Sequence, residues 1–170
     1  FGIAPYFTGF PGTVSLSVRT YVALVEEVLD NLARTGFRRI LIVSGHGGNA
    51  PAGALAVEWA AAHPEVRVKF HEWWRAPRTM ARALEMDSAL GHASWMEAFP
   101  WTRLAGVSLP EGSKEVVDRE RMRVMPPEEV RDFLEDGNYG GPYRKSDEEM
   151  EKLWALGVEE TREALEGGWE

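Results

Sequence analysis

The chain contains no cysteine, which excludes disulfides, thiolate nucleophiles and sulfur-ligated metals together and fits a reducing cytoplasm. No apolar run approaches the 18 or more residues of a membrane span, and no basic-then-apolar order at the start suggests a secretory signal. Short repeats are absent, so collagen-like and low-complexity classes drop out, and the 11% aromatic content excludes disorder. Basic residues are scarce: 19 Lys and Arg stand against 27 Asp and Glu, a net charge of −8. A nucleic-acid partner would need a basic stripe that this composition does not supply. A Ser-His-Asp order, a nucleophile elbow and a di-histidine metalloprotease helix are also missing.

What remains is 170 residues, 44% of them hydrophobic. That suits a single α/β domain, since a chain of this size buries about 70% of its unfolded surface. Residues 1–110 carry 10 basic and 9 acidic side chains, whereas residues 111–170 carry 9 and 18. The acidic tail reads as solvated helix faces, and a site is sought in the near-neutral front. The first residue is Phe1 rather than Met, so the chain is expected to be processed or part of a longer one.

Apolar residues at 18, 21, 22, 25, 28, 29, 32 and 33 have helical spacing, with Thr13, Ser15 and Ser17 as candidate N-caps and Gly36 just past the end. Ile40-Leu41-Ile42-Val43 lacks polar alternation and reads as a strand covered on both faces. A glycine turn and an Ala-rich helix over 50–62 lead to a second short strand, Val66–Phe70. That order predicts a right-handed βαβ unit with parallel strands. Further along, helices are expected near Arg78–Glu85, from His92, from the Pro126-Pro127-Glu128-Glu129 start to about Glu135, and from the Ser146-Asp147-Glu148-Glu149 capping box to about Leu165. A short strand is expected near Ala105–Leu109 and a turn over 137–142.

The loop after a parallel strand is where ligands collect. Ser44-Gly45-His46-Gly47-Gly48-Asn49 occupies that position. Its glycines permit a sharp turn and leave the His46 imidazole accessible, either to bind a metal, to act as a base or merely to cap the turn. Without the histidine the same loop would be an anion cradle of unspecific spacing. His92 and Glu97 form a second cluster suited to metal binding or proton transfer, or else a plain surface helix. His63 is expected to be solvated, and His71 lies at a strand end that could border the crevice. Trp73 and Trp74 follow that strand end and could wall a pocket or fill a core.

Four segments together resemble the creatininase family of metal-dependent amidohydrolases. Phe10-Pro11-Gly12-Thr13-Val14-Ser15-Leu16 is similar to that family's FPGT-I-S-L phrase, and Ser44-Gly45-His46-Gly47-Gly48-Asn49 to its NGHGGN signature. His92-Ala93-Ser94-Trp95-Met96-Glu97-Ala98 resembles HAG-x-x-ET, and Tyr139-Gly140-Gly141-Pro142 resembles YGDP. The resemblance implies a three-layer αβα sandwich with a mostly parallel sheet, assembled as a homo-oligomer, a hexamer in the family; the cytoplasmic location is expected from the lack of cysteine. It implies hydrolysis of a cyclic or linear amide C–N bond at two divalent ions, zinc or manganese. His46 and Glu97 would then be metal ligands and His92 the proton-handling residue. Gly45, Gly47, Gly48, Asn49, Trp73, Trp74 and Tyr139 would shape the site.

The family places a Glu-x-His pair and a bridging Asp upstream of its FPGT phrase. Here nine residues precede Phe10, none of them an acid or a histidine, so the N-terminal strand and loop are expected to be missing from these 170 residues. Phe7 stands where many relatives have a histidine, and Ser44, Ser94, Ala98 and Gly141 replace Asn, Gly, Thr and Asp. Two alternatives stay open: a non-catalytic oligomeric subunit of the same fold, and an anion- or nucleotide-binding module built on residues 45–49.

Overall fold

The computed structural model describes residues 2–170. In chain order the elements are α1 (Val18–Arg34), β1 (Arg39–Ser44), α2 (Pro51–Ala62), β2 (Arg67–Glu72), α3 (Pro77–Met86), β3 (Ser113–Lys114), α4 (Arg119–Met122), α5 (Pro127–Leu134), β4 (Gly141–Pro142) and α6 (Asp147–Glu166). They divide into two compact units. Of the described residues, the first holds 2–5, 14–76 and 158–170; the second holds 6–13 and 77–157.

The first unit has the α/β architecture expected from its residues. Ser17 caps α1 by accepting from the Thr20 backbone N–H at 3.1 Å, and Gly36 follows the helix at φ +102°, where a side chain would be strained. β1 and β2 pair in parallel with Ile40 opposite Val68, Ile42 opposite Phe70 and Ser44 opposite Glu72. Leu29 of α1, Ile40, Trp59 of α2 and Val66 form the buried core, with Val25, Leu32, Ile42 and Val68 packed around it. Each fully buried aliphatic side chain in such a cluster contributes about 1.5–3 kcal/mol.

The opposite face of β2 carries Lys69 and His71, which bond to the end of α6. The Lys69 ammonium donates to the carbonyls of Ala164, at 2.8 Å, and Gly167, and His71 Nε2 lies 3.0 Å from Thr161 Oγ1. Helices therefore lie on both faces of the parallel pair, an αβα layering. The expectation that β1 is covered on both faces is only half met: Ile40 is buried, but Val43 is 50% exposed. Among the described residues β1 pairs with β2 alone. An apolar groove of about 400 Å³ runs between β1 and α1, lined by Leu24, Val25, Val28, Leu32, Ile40 and Ile42 among others.

The second unit is built differently. Met122, Val130 and Leu134 form its core, flanked by Phe7, Phe10, Val117, Phe133 and Tyr139. Ser146 and Glu149 close a reciprocal capping box at the start of α6: Glu149 Oε2 accepts from the Ser146 N–H at 3.2 Å, and Ser146 Oγ from the Glu149 N–H at 3.3 Å. Two sequence expectations fail here. Residues 105–109 form turns and irregular backbone, not a strand, and residues 92–94 are a turn followed by one 3-10 turn, Trp95–Glu97, not an α-helix. Ala93 explains the second failure, since its φ of +54° lies in the left-handed region and breaks any helix there. The 137–142 turn also contains more order than expected, because Gly141 and Pro142 pair antiparallel with Lys114 and Ser113.

Candidate functional site

In the first unit the glycine loop leaves β1 through a local hook. Ser44 is buried, and its hydroxyl both donates to the His46 carbonyl (3.1 Å) and accepts from the His46 N–H (3.4 Å). His46 itself is extended, and Gly47–Asn49 make one 3-10 turn before Pro51 opens α2. The His46 Nε2 lies 2.9 Å from the carbonyl oxygen of Ile3. A carbonyl can only accept, so the neutral ring carries its proton on Nε2 and its lone pair on Nδ1. Asn49 Oδ1 accepts from the Ile3 N–H at 3.1 Å, so the two side chains clamp the Gly2–Ala4 segment together.

Gly48 is obligatory for this arrangement. A Cβ there would sit 1.9 Å from the Ile3 oxygen and 2.6 Å from His46 Nε2. The same geometry weakens the anion-cradle reading, because it puts an acceptor oxygen over the loop where an anion would need donors. The tryptophans also come to this loop: an added Cβ on Gly45 would meet the Trp73 indole nitrogen at 3.6 Å, and one on Gly47 the Trp74 ring at 3.6 Å. Arg75 lies over Trp74, 4.6 Å from the ring centroid, and donates to Glu72 Oε2 at 3.2 Å. Glu72 Oε1 and Trp74 Nε1 are buried without hydrogen-bond partners. Sequence reasoning did not single out Glu72, whose only signal was its place at the carboxyl end of β2.

The other two histidines of the first unit, His63 and His71, are structural. His71 points to Thr161 instead of the loop. His63, expected to be solvated, stacks on Trp59 at 3.8 Å between centroids, and its Nδ1 lies 2.8 Å from the Trp59 carbonyl oxygen.

In the second unit the turn at 92–97 achieves what a helix would not. Ser94 Oγ donates to the Gly91 carbonyl at 2.8 Å and accepts from its N–H at 3.0 Å, closing the backbone so that the side chains of His92 and Glu97 meet. His92 Nδ1 is 3.6 Å from Glu97 Oε1, and that oxygen also accepts from the Ala93 N–H at 3.0 Å. Tyr139 lies beside them, its ring 5.2 Å from that of His92 and its N–H bonded to the His92 carbonyl at 3.0 Å. Burial pushes the Tyr139 hydroxyl above its usual pKa; the Arg119 guanidinium, 5.3 Å from the ring centroid, pulls the other way, and Tyr6 and Glu97 add to the rise. A half-buried imidazole with a carboxylate at its edge can hold and move a proton.

Among the described residues no three His, Cys, Asp or Glu side chains form a group that could hold an ion. A catalytic zinc has three protein ligands as a rule, so neither His46 nor Glu97 sits in a complete metal shell among the described residues.

Residues 1–165 match the sequence pattern of the Creatininase family, described as creatinine amidohydrolase. The chain belongs to that family. Its fold is that of solved creatininases. One creatinine amidohydrolase (creatininase) crystal structure superposes with a TM-score of 0.71 at 18% identity, covering 94% of this chain and 68% of that one. A zinc–zinc form of a creatininase point mutant gives 0.63 at 20%, covering 98% and 74%. A manganese creatininase gives 0.58 at 21%, covering 93% and 68%. No curated protein matches the chain in sequence. No helix among the described residues is long and apolar enough to cross a membrane.

Proposed function

We propose that this chain serves a metal-dependent amidohydrolase that cleaves the C–N bond of a small cyclic or linear amide. The observation that carries the reading is the His92–Glu97 pair at 3.6 Å, within a chain that matches the creatininase family over residues 1–165. In this reading His92 delivers the proton that the amide nitrogen must gain as the bond to carbon breaks. Glu97 beside it stabilises the protonated ring. The Gly45–Asn49 loop, Trp73 and Trp74 wall the substrate, with Tyr139 next to the proton-handling pair. His46, through Nδ1, is a donor to zinc or manganese, and so is Glu97; the further donors such an ion needs are not gathered among the described residues. No step is derived through the metal for that reason. The assembly is a homo-oligomer acting in the cytoplasm.

Metal content of the full-length protein, measured by mass spectrometry after equilibration with zinc or manganese, tests the ligand assignment. At least one ion per chain is expected in the native protein, with a loss of tenfold or more in affinity in His46→Ala. Native-like metal content in that variant would remove His46 from the shell. A second reading, a non-catalytic subunit of the same fold, draws on the His46–Ile3 bond, which gives the imidazole a structural task. It expects a stable oligomer with neither bound metal nor amide hydrolysis.

A further inference from the structure

We infer that Phe7 is a positioning residue for His92, holding the imidazole plane so that its Nδ1 edge stays on Glu97. The inference rests on the proposed proton-handling role of His92 and adds a residue that the family resemblance does not supply, since Phe7 stands where many relatives carry a histidine.

The Phe7 and His92 rings stack with centroids 4.3 Å apart and planes 28° apart. An imidazole turns about two side-chain bonds, and its broad terminal torsion alone would let the ring edge swing off the carboxylate. A flat partner at that distance removes the swing by contact across one whole face. Phe7 can do this because it is itself held. It lies 6.0 Å from the Tyr139 ring at 21° and 6.1 Å from Phe10, and all three pack on the core of Met122, Val130 and Leu134. The backbone of His92 is pinned as well, its carbonyl accepting from the N–H of Tyr139, whose own carbonyl accepts from the Val117 N–H at 3.0 Å. The ring is thus fixed by a stack on one face, the backbone by a hydrogen bond, and the remaining edge faces Glu97. A histidine at position 7 would bring a second titratable ring to this place; phenylalanine supplies the flat face without a competing proton.

Three variants separate positioning from simple packing. Phe7→Tyr keeps the ring face, Phe7→Leu keeps apolar volume without it, and Phe7→Ala removes both. With the metal-loaded full-length protein, Phe7→Leu is expected to lower kcat about tenfold with KM within twofold, and Phe7→Tyr to stay within threefold of the native kcat. A kcat in Phe7→Leu equal to that of the native protein would overturn the inference while leaving the hydrolase reading intact. A readout independent of turnover is the His92 ring-proton resonances, shifted upfield in the native protein by the Phe7 ring current. Loss of that shift in Phe7→Leu and its retention in Phe7→Tyr are expected. Resonances that do not move in Phe7→Leu would refute the stack even if no amide is ever hydrolysed, an outcome that would count against the proposed function separately. Circular dichroism of each variant confirms folding, and should Phe7→Leu unfold, the Phe7→Tyr resonances decide alone.

Discussion

In the first unit, one buried face recurs along α1, β1, α2 and β2, and its core residues Leu29, Ile40, Trp59 and Val66 come from four successive segments. In the second, regular elements are short and the chain is tied by turns, left-handed residues and bonds from side chains to backbone. The His92–Glu97 pair belongs to the second kind of structure and the glycine-loop histidine to the end of the first. The contrast teaches that a parallel strand delivers a side chain to a known place by propagating a regular pattern. A turn places a side chain only through a specific set of local bonds.

The largest expected effect probes that contrast at Gly140. Its φ is +116°, and a Cβ would sit 2.4 Å from the Val116 Cα and 2.8 Å from the Glu115 oxygen. Overpacking of 1–3 kcal/mol adds to backbone strain of similar size, so Gly140→Ala should lose about 4 kcal/mol in urea unfolding. A loss below 1 kcal/mol would show that the second unit does not depend on this turn. Next is Leu29→Ala, which truncates a side chain 1% exposed in the first unit's core. About 3 kcal/mol is expected, with the His92 resonances unchanged. Movement of those resonances would show that the His92 turn depends on the first unit's core.

The smallest effect concerns acid. Partial burial pushes the Asp136 carboxyl up, but Lys114, the Tyr143 hydroxyl and the Asn138 N–H outweigh it and hold the pKa below the usual value. The ammonium of Lys114 lies 2.7 Å from Oδ1, and Tyr143 donates to Oδ2 at 2.7 Å. A carboxylate with a depressed folded-state pKa stabilises the fold above its unfolded value of about 3.9 and loses that contribution as pH falls through the folded value. Asp136→Asn should cost about 1 kcal/mol at pH 7, and its deficit should shrink on acidification below about pH 4. A deficit constant from pH 7 to pH 2 would rule out this account of the carboxylate.

The legible parts of the fold were those with a local cause. The boundaries of α1 follow from Ser17 and Gly36, β1 from the unbroken apolar run Ile40–Val43, β2 from the short β-rich run Val66–Phe70, and the start of α6 from Ser146 and Glu149. The fold class and the grouping of Gly45–Asn49 with Trp73 and Trp74 were readable for the same reason, since parallel strands of known order bring their carboxyl ends together. The 92–97 segment misled because its apolar and polar residues permit a helix. The left-handed Ala93 and the Ser94 hydroxyl decide otherwise, and neither has a periodic signature. The strand anticipated at 105–109 failed for lack of a partner: β-branched and apolar residues favour extension only where a neighbouring strand supplies hydrogen bonds.

Determined by the residues alone were the helix caps, the glycine positions, the parallel βαβ order and the identity of the groups able to carry a proton or a cation. Those follow from interactions between near neighbours in the chain. Only the tertiary structure decided that His46 turns its Nε2 toward Ile3, 43 residues away, and that Phe7 lies flat on His92. Such pairings depend on where distant segments are brought by the packing of a core, and no local pattern of amino acids carries that information.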